Sequence, residues 1–231
     1  MEQPHFEKNP GGKAEALSKT ILPWSERSKL SPETREHITT TTSQEVLTFF
    51  REEAVEYDNL SHMYDVLKGQ PLFVRRESPE RILAALENNE SLHIGFPEGE
   101  RYSNAVIWSA AQSTRGLENA YLEGYGEANG VVTVMGFKQE AVHDVVSLDD
   151  ASQKFAGLDR TYVRSIRGEV RPEDILFVSV RVPLFSFPEK DMTPEEQERY
   201  EEYEESKKSG AKTAPQFIHR GFLFTKNLEK Q

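Results

Sequence analysis

The chain has 231 residues, room for one large domain or a medium domain with ordered appendages; 36% are hydrophobic, 29% are charged, and the formal net charge is −11. This balance excludes wholesale disorder and disfavours broad nucleic-acid binding, because the net field repels a phosphate backbone. The absence of cysteine excludes disulfides, thiol catalysis, Fe–S clusters and thiolate zinc sites, so any chemistry falls to carboxylates, histidines, hydroxyls or arginines.

Residues 1–42 carry Pro4, Pro10, Gly11, Gly12, Pro23, Pro32 and the run Thr39 to Thr42, with few apolar residues, and are expected to form a flexible arm. Its anchor candidate is Ile21-Leu22-Pro23-Trp24, docking on the domain itself or on a partner. The first residues show no basic, apolar and small-residue succession of a secretory signal, which makes the cytoplasm the expected compartment. No apolar run approaches the length of a membrane-spanning helix.

Thr42-Ser43-Gln44-Glu45 has the S/T-x-x-E spacing of a capping box, and the apolar stripe that follows predicts a helical segment over residues 43–69, with a break at Asp58-Asn59 and a stop at Gly69. Residues 70–231 then read as an α+β domain with a mixed, mainly antiparallel sheet. Pro71 to Arg76 is a strand, Ser78-Pro79-Glu80 opens a helix to about Glu87, and Ser91 to Ile94 is a second strand. Ser103 to Arg115 fits a helix, although Ala105 to Trp108 also reads as strand. Strands follow at Val131 to Met135, near Ala141 to Val146, at Arg160 to Val170 and at Ile175 to Val182. The last two are expected to form a close pair, with Leu176, Val178, Val180 and Val182 on one face.

Thr193-Pro194-Glu195-Glu196 opens an acidic helix, inserted over residues 190–209, before a last strand at Phe217 to Thr225. From Glu189 to Lys208 there are nine acids and four bases, and after Glu196 the helix offers only Tyr200 and Tyr203 as apolar surface. Such a helix is a solvated insertion or, alternatively, a surface for a basic protein partner.

The common nucleotide, zinc-protease, hydrolase and calcium signatures are missing, and His5, His37, His62, His93, His143 and His219 never pair at metal-ligand spacing. Two constellations remain. Arg75-Arg76 ends a strand just before a capped helix, a natural place for an anion, or else pairs with Glu77 or Glu80. Glu169, beside Gly168, sits where a backbone or ligand approaches closely, as acid, base or charge stabiliser, or else pairs across strands with Arg164, Arg167 or Arg171.

The order from Pro71 to Pro183 resembles the ADP-ribosyltransferase fold over about half the chain: a strand ending in Arg, a Ser-Pro-Glu helix, a polar loop, a Gly-preceded strand, then Gly-Glu-Val leading through Pro-Glu-Asp-Ile into another strand. The resemblance implies NAD as cofactor, held by Arg75 or Arg76, a pocket braced by Ser113 and Thr114, and Glu169 as the catalytic carboxylate at the nicotinamide ribose. The family's His-Gly-Thr and Ser-Thr-Ser runs are missing and Arg167 stands two residues before Glu169, so the resemblance covers an active transferase and an inactive relative alike. The alternative from another class is a non-catalytic protein-binding module that uses the acidic helix and the Trp24 arm.

Overall fold

The computed structural model describes residues 12–95, 103–107, 127–147, 163–210 and 216–228. Its centre is made by the two runs richest in β-branched and aromatic residues, β6 (Val131–Lys138) and β9 (Ile175–Pro183), which are buried almost throughout. Around them lie β1 (Val55–Tyr57), β2 (Leu72–Glu77), β3 (Leu92–Ile94), β4 (Ser103–Ile107), β5 (Glu127–Ala128), β7 (Val142–Ser147), β8 (Val163–Val170) and β10 (Phe217–Leu223). The strand order is β1-β10-β9-β6-β2-β4-β8-β3, with β5 on β6 and β7 on β8. The fold is α+β, and every ladder among the described residues is antiparallel.

The segment expected as a flexible arm is helical from Lys13 onward: α1 (Lys13–Thr20), α2 (Trp24–Arg27) and the start of α3 (Pro32–Glu53). Three attachments explain the correction. Ala14 and Leu17 are buried in the main core. The backbone N–H groups of Lys13 and Ala14 donate to the Glu87 carboxylate at 2.8 and 3.0 Å, satisfying donors that a helix start leaves open. Asn129, in the left-handed region at φ 50°, accepts from Leu22 N–H and donates to the Thr20 carbonyl and the Thr42 hydroxyl, each at 3.0 Å.

The helix expected over residues 43–69 with Thr42 as its cap starts eleven residues earlier, because Ser31 accepts from the Thr34 N–H and Pro32 suits the first turn. Thr42 and Ser43 are therefore buried within the helix, and Ser43 donates to the Thr39 carbonyl. The break falls at Ala54, where Val55–Tyr57 leaves the helix to pair with β10, and α4 (Leu60–Val66) resumes after it.

One sheet face packs α1, α3 and α5 (Pro79–Asn88) over the main core, with Phe50 against Phe222 at 5.5 Å between ring centroids. The other face carries a smaller cluster with Met63 and Leu67 around α4. Both glycines there serve close packing: a Cβ at Gly136 would collide with the Phe177 ring, and one at Gly221 would press on Met63.

The expected pairing of the strands at 163–170 and 175–183 does not form. The Pro172–Asp174 3-10 turn lies between them, the Arg171 guanidinium bonds Asp174, and Asn227 donates to the Pro172 and Ile175 carbonyls. The chain is thereby sent from β8 to β9 across three intervening strands. A register shift opposite Gly136 and Phe137 bulges β9 at Leu176, so Leu176 joins the second cluster while Val178, Val180 and Val182 face the main core.

The acidic helix α6 (Pro194–Ser209) forms as expected, with a Thr193/Glu196 capping box and Gly210 in the left-handed region. None of its residues is buried, although Tyr200 and Tyr203 lean on the main core. The chain ends its described part in α7 (Thr225–Leu228). No helix among the described residues is long and apolar enough to cross a membrane.

Candidate functional site

Successive side chains on a strand point to opposite faces, and β2 divides the Arg75-Arg76 pair accordingly. Arg75 lies on the main-core side with Phe73. Its side chain is only 13% exposed, and Nη2 is 3.1 Å from Glu77 Oε2. Glu77, itself buried, also accepts from Arg81 Nη1 at 2.9 Å, and Arg81 reaches the His93 carbonyl at 3.1 Å. Arg75 and Arg81 thus flank one buried carboxylate that ties β2, α5 and β3 together. Burial pulls the Arg75 guanidinium below its ordinary range, and Glu77 opposes that pull. Arg75 Nη1, Ser78 Oγ and Glu80 Oε2 are buried here without a hydrogen-bond partner among the described residues.

Arg76 lies on the opposite face, half-buried, level with Val134 and Ser179. Burial lowers its pKa, Glu127 raises it and Arg181 lowers it further. Glu127 is reached from the other side by the buried Arg27, which forms an ion pair with it.

The ladder places Val74 level with Val106 and Val163. Arg76 is two residues beyond Val74 and Glu169 six beyond Val163, so both fall on the same face. The core confirms the parity, since Ile166 and Val170, the neighbours that alternate with Glu169, pack with Phe73. Two strand spacings of about 10 Å in all and four residues of about 13 Å separate the two backbones. Glu169 is exposed, opposite His93, and no ion pair holds it among the described residues. The close approach expected at Gly168 is made by backbone: a Cβ there would collide with the Ala141 carbonyl.

The structure thus brings Arg76 and Glu169 to one face and sends Arg75 to the other. Ser113 and Thr114 lie outside the described residues. Glu173 and Asp174 are turn residues bound to Arg171. No group of three His, Asp or Glu with metal-binding geometry occurs among the described residues.

Neither a family model, nor a curated protein, nor a solved structure matches the chain. The residues themselves therefore carry the functional reading. Two that sequence reasoning passed over are Arg181 and His219. They are direct cross-strand partners on the Arg76 face, where Arg181 stacks over the Phe217 ring at 4.6 Å and burial with three neighbouring arginines lowers the His219 pKa to about 4. Ladder register alone makes them neighbours, and nothing local in the sequence signals it.

Proposed function

We propose that this protein binds NAD and acts as an ADP-ribosyltransferase-like enzyme, or as an inactive relative that keeps the binding site. The observation that supports the reading is the placement of Arg76 and Glu169 on one sheet face, at a separation an extended dinucleotide can bridge. In this reading Arg76 donates its planar fork to the pyrophosphate. Glu169 faces the nicotinamide ribose. Transfer breaks the bond from C1′ to the nicotinamide nitrogen, the electron pair leaves with nicotinamide, and the acceptor closes the new bond on C1′ while losing a proton. A carboxylate beside the developing oxocarbenium ion stabilises that charge. The buried Arg75–Glu77 pair, with the exposed Arg81 on the same carboxylate, supports the strand end from behind.

The test is NAD titration by intrinsic fluorescence together with an assay of nicotinamide release. Arg76→Ala is expected to weaken NAD binding about ten- to a hundredfold, the loss of one charge-assisted contact. Glu169→Gln is expected to keep binding and abolish release. Absence of binding at millimolar NAD removes the proposal.

A second reading, a binding module for a basic protein, has its own support. The acidic helix α6 buries no residue, and Trp24 is 67% exposed with the Arg27 guanidinium 4.9 Å from its ring centre. Capture of a basic peptide that is lost on replacing Glu201, Glu202 and Glu205 by Gln, with NAD binding absent, would favour it.

A further inference from the structure

We propose that the cleft between α1 and α3 is a binding site for a small apolar monoamine, separate from the Arg76–Glu169 site. The cleft has a volume of about 350 Å³ and lies in the helical layer over the main core, whereas Arg76 and Glu169 lie on the sheet face turned away from that core. Two helical stripes shape it. Lys13, Ala16 and Leu17 turn one face of α1 to the cleft at i, i+3, i+4 spacing, and Glu45, Thr48, Phe49 and Glu52 do the same on α3. Leu17 and Phe49, with Leu83 of α5, are buried and form an apolar floor. Ala16 and Thr48 have short side chains, and the space they leave between the helices is the cleft.

The charges along the lining choose the sign of the ligand. Lys13 is already engaged: its ammonium pairs with Glu52 and stands 5.4 Å from the centre of the Phe49 ring, so this lining accommodates a cation. Glu45 lines the same cleft without a counter-ion among the described residues. It precedes Glu52 by two helical turns, which puts about 10 Å of α3 between it and the Lys13–Glu52 pair. One base against two acids leaves a single negative charge, at the Glu45 end. An ammonium fits against Glu45 while an aryl or alkyl body of roughly ten non-hydrogen atoms lies along the floor toward Phe49. Burial of that body supplies most of the affinity. The exposed carboxylate adds little energy but selects charge, and it repels an acid of the same shape.

The test is an NMR titration of the full, isotopically labelled chain near neutral pH and at low salt, following the amides of α1 and α3. The probes are phenethylamine and its neutral and anionic counterparts, phenethyl alcohol and phenylpropionate. The amine is expected to give saturable shifts centred on the cleft and to bind about two- to fivefold more tightly than the alcohol, with the acid weakest. Glu45→Gln should erase the amine's advantage and leave the alcohol's own affinity in place. Ala16→Leu fills the cleft from an exposed helical position and should weaken amine binding about tenfold without lowering the melting temperature. Thr48→Leu fills it from the opposite wall and repeats the test should the first variant misfold. Equal binding of amine and alcohol, preference for the acid, no saturable shift at about 10 mM amine, or undiminished binding in the filled variants overturns the proposal. Shifts produced by a basic amphipathic peptide but not by the amine overturn it too, and assign the cleft to a protein partner.

Discussion

Single side chains decide how the ends of the elements are fastened. Asn129 combines a left-handed backbone with hydrogen bonds to the α1–α2 connection and to α3. Glycine tolerates that φ, so Asn129→Gly isolates the side chain, and its loss should cost about 3 kcal/mol in chemical denaturation because buried donors and acceptors are left unpaired. Asn129→Ala should cost about 1 kcal/mol more from strain. His219 sets a pH dependence. Its ordinary pKa of 6.5 applies in the unfolded chain and about 4 in the folded one, so the unfolded state holds more protons between those values. Stability therefore rises with pH across that window, and as pH falls from about 6.5 to about 4 up to about 3 kcal/mol is lost. His219→Gln should flatten that part of a stability-against-pH profile measured by urea unfolding. Residue types alone made Arg75, Arg76 and Glu169 candidates. The role of Arg75 was legible in its neighbour Glu77, but its burial was not, since burial follows from what α5 and β3 place above it.

At the level of elements, α6 shows why composition misleads about attachment. Its acidic residues are solvated as expected, yet Glu196 serves both as the N3 partner of Thr193 and as the counter-charge of Arg220, which is 2% exposed. Arg220 also lies 3.5 Å from Glu56, which Arg51 clamps through two hydrogen bonds, and over the Phe187 ring at 4.4 Å. The Arg220 bonds hold the Glu196 carboxyl below its usual range despite burial. Glu196→Ala leaves a buried guanidinium without its main partner and should cost about 3 kcal/mol. Glu202→Ala, on the same helix but exposed, should stay within about 0.5 kcal/mol. Equal effects in denaturant unfolding would mean that the clasp contributes nothing. The other end of α6 is joined to α3 by Lys207 and Glu36 at 3.1 Å, an exposed pair of smaller consequence.

The whole molecule is joined through its most distant segments. β10 lies between β9 and β1, so residues 217–223 complete a sheet whose far strand is residues 55–57. Phe222 and Phe224 are fully buried in the main core. A chain ending before residue 216 would expose β9 along one edge and leave β1 without a partner. It should lose cooperative unfolding, read as a broad transition in thermal circular dichroism; a sharp transition near that of the full chain would show that β10 is dispensable. Long-range antiparallel pairing also makes the full chain a slow folder, on the order of milliseconds to seconds, because loop closure precedes the contacts that reward it.

Periodicity, capping residues and punctuation were enough to locate β2, α5, β3, β6, β8, β9, α6 and β10, because each depends on interactions within a few residues along the chain. The Ser103–Ile107 strand was visible only as an alternative to helix, since five residues of mixed polarity satisfy either period and the choice falls to the β2 and β8 ladders. Strand order, the separation of β8 from β9, the bulge at Leu176 and the docking of α1 were decided by tertiary structure alone. Each depends on which distant surfaces exclude water together, and no local pattern encodes that sum. The site follows the same division. Arginine and glutamate at the right strand ends are sequence facts, but the parity that unites Arg76 with Glu169, removes Arg75 and brings Arg181 against His219 exists only once the register is set.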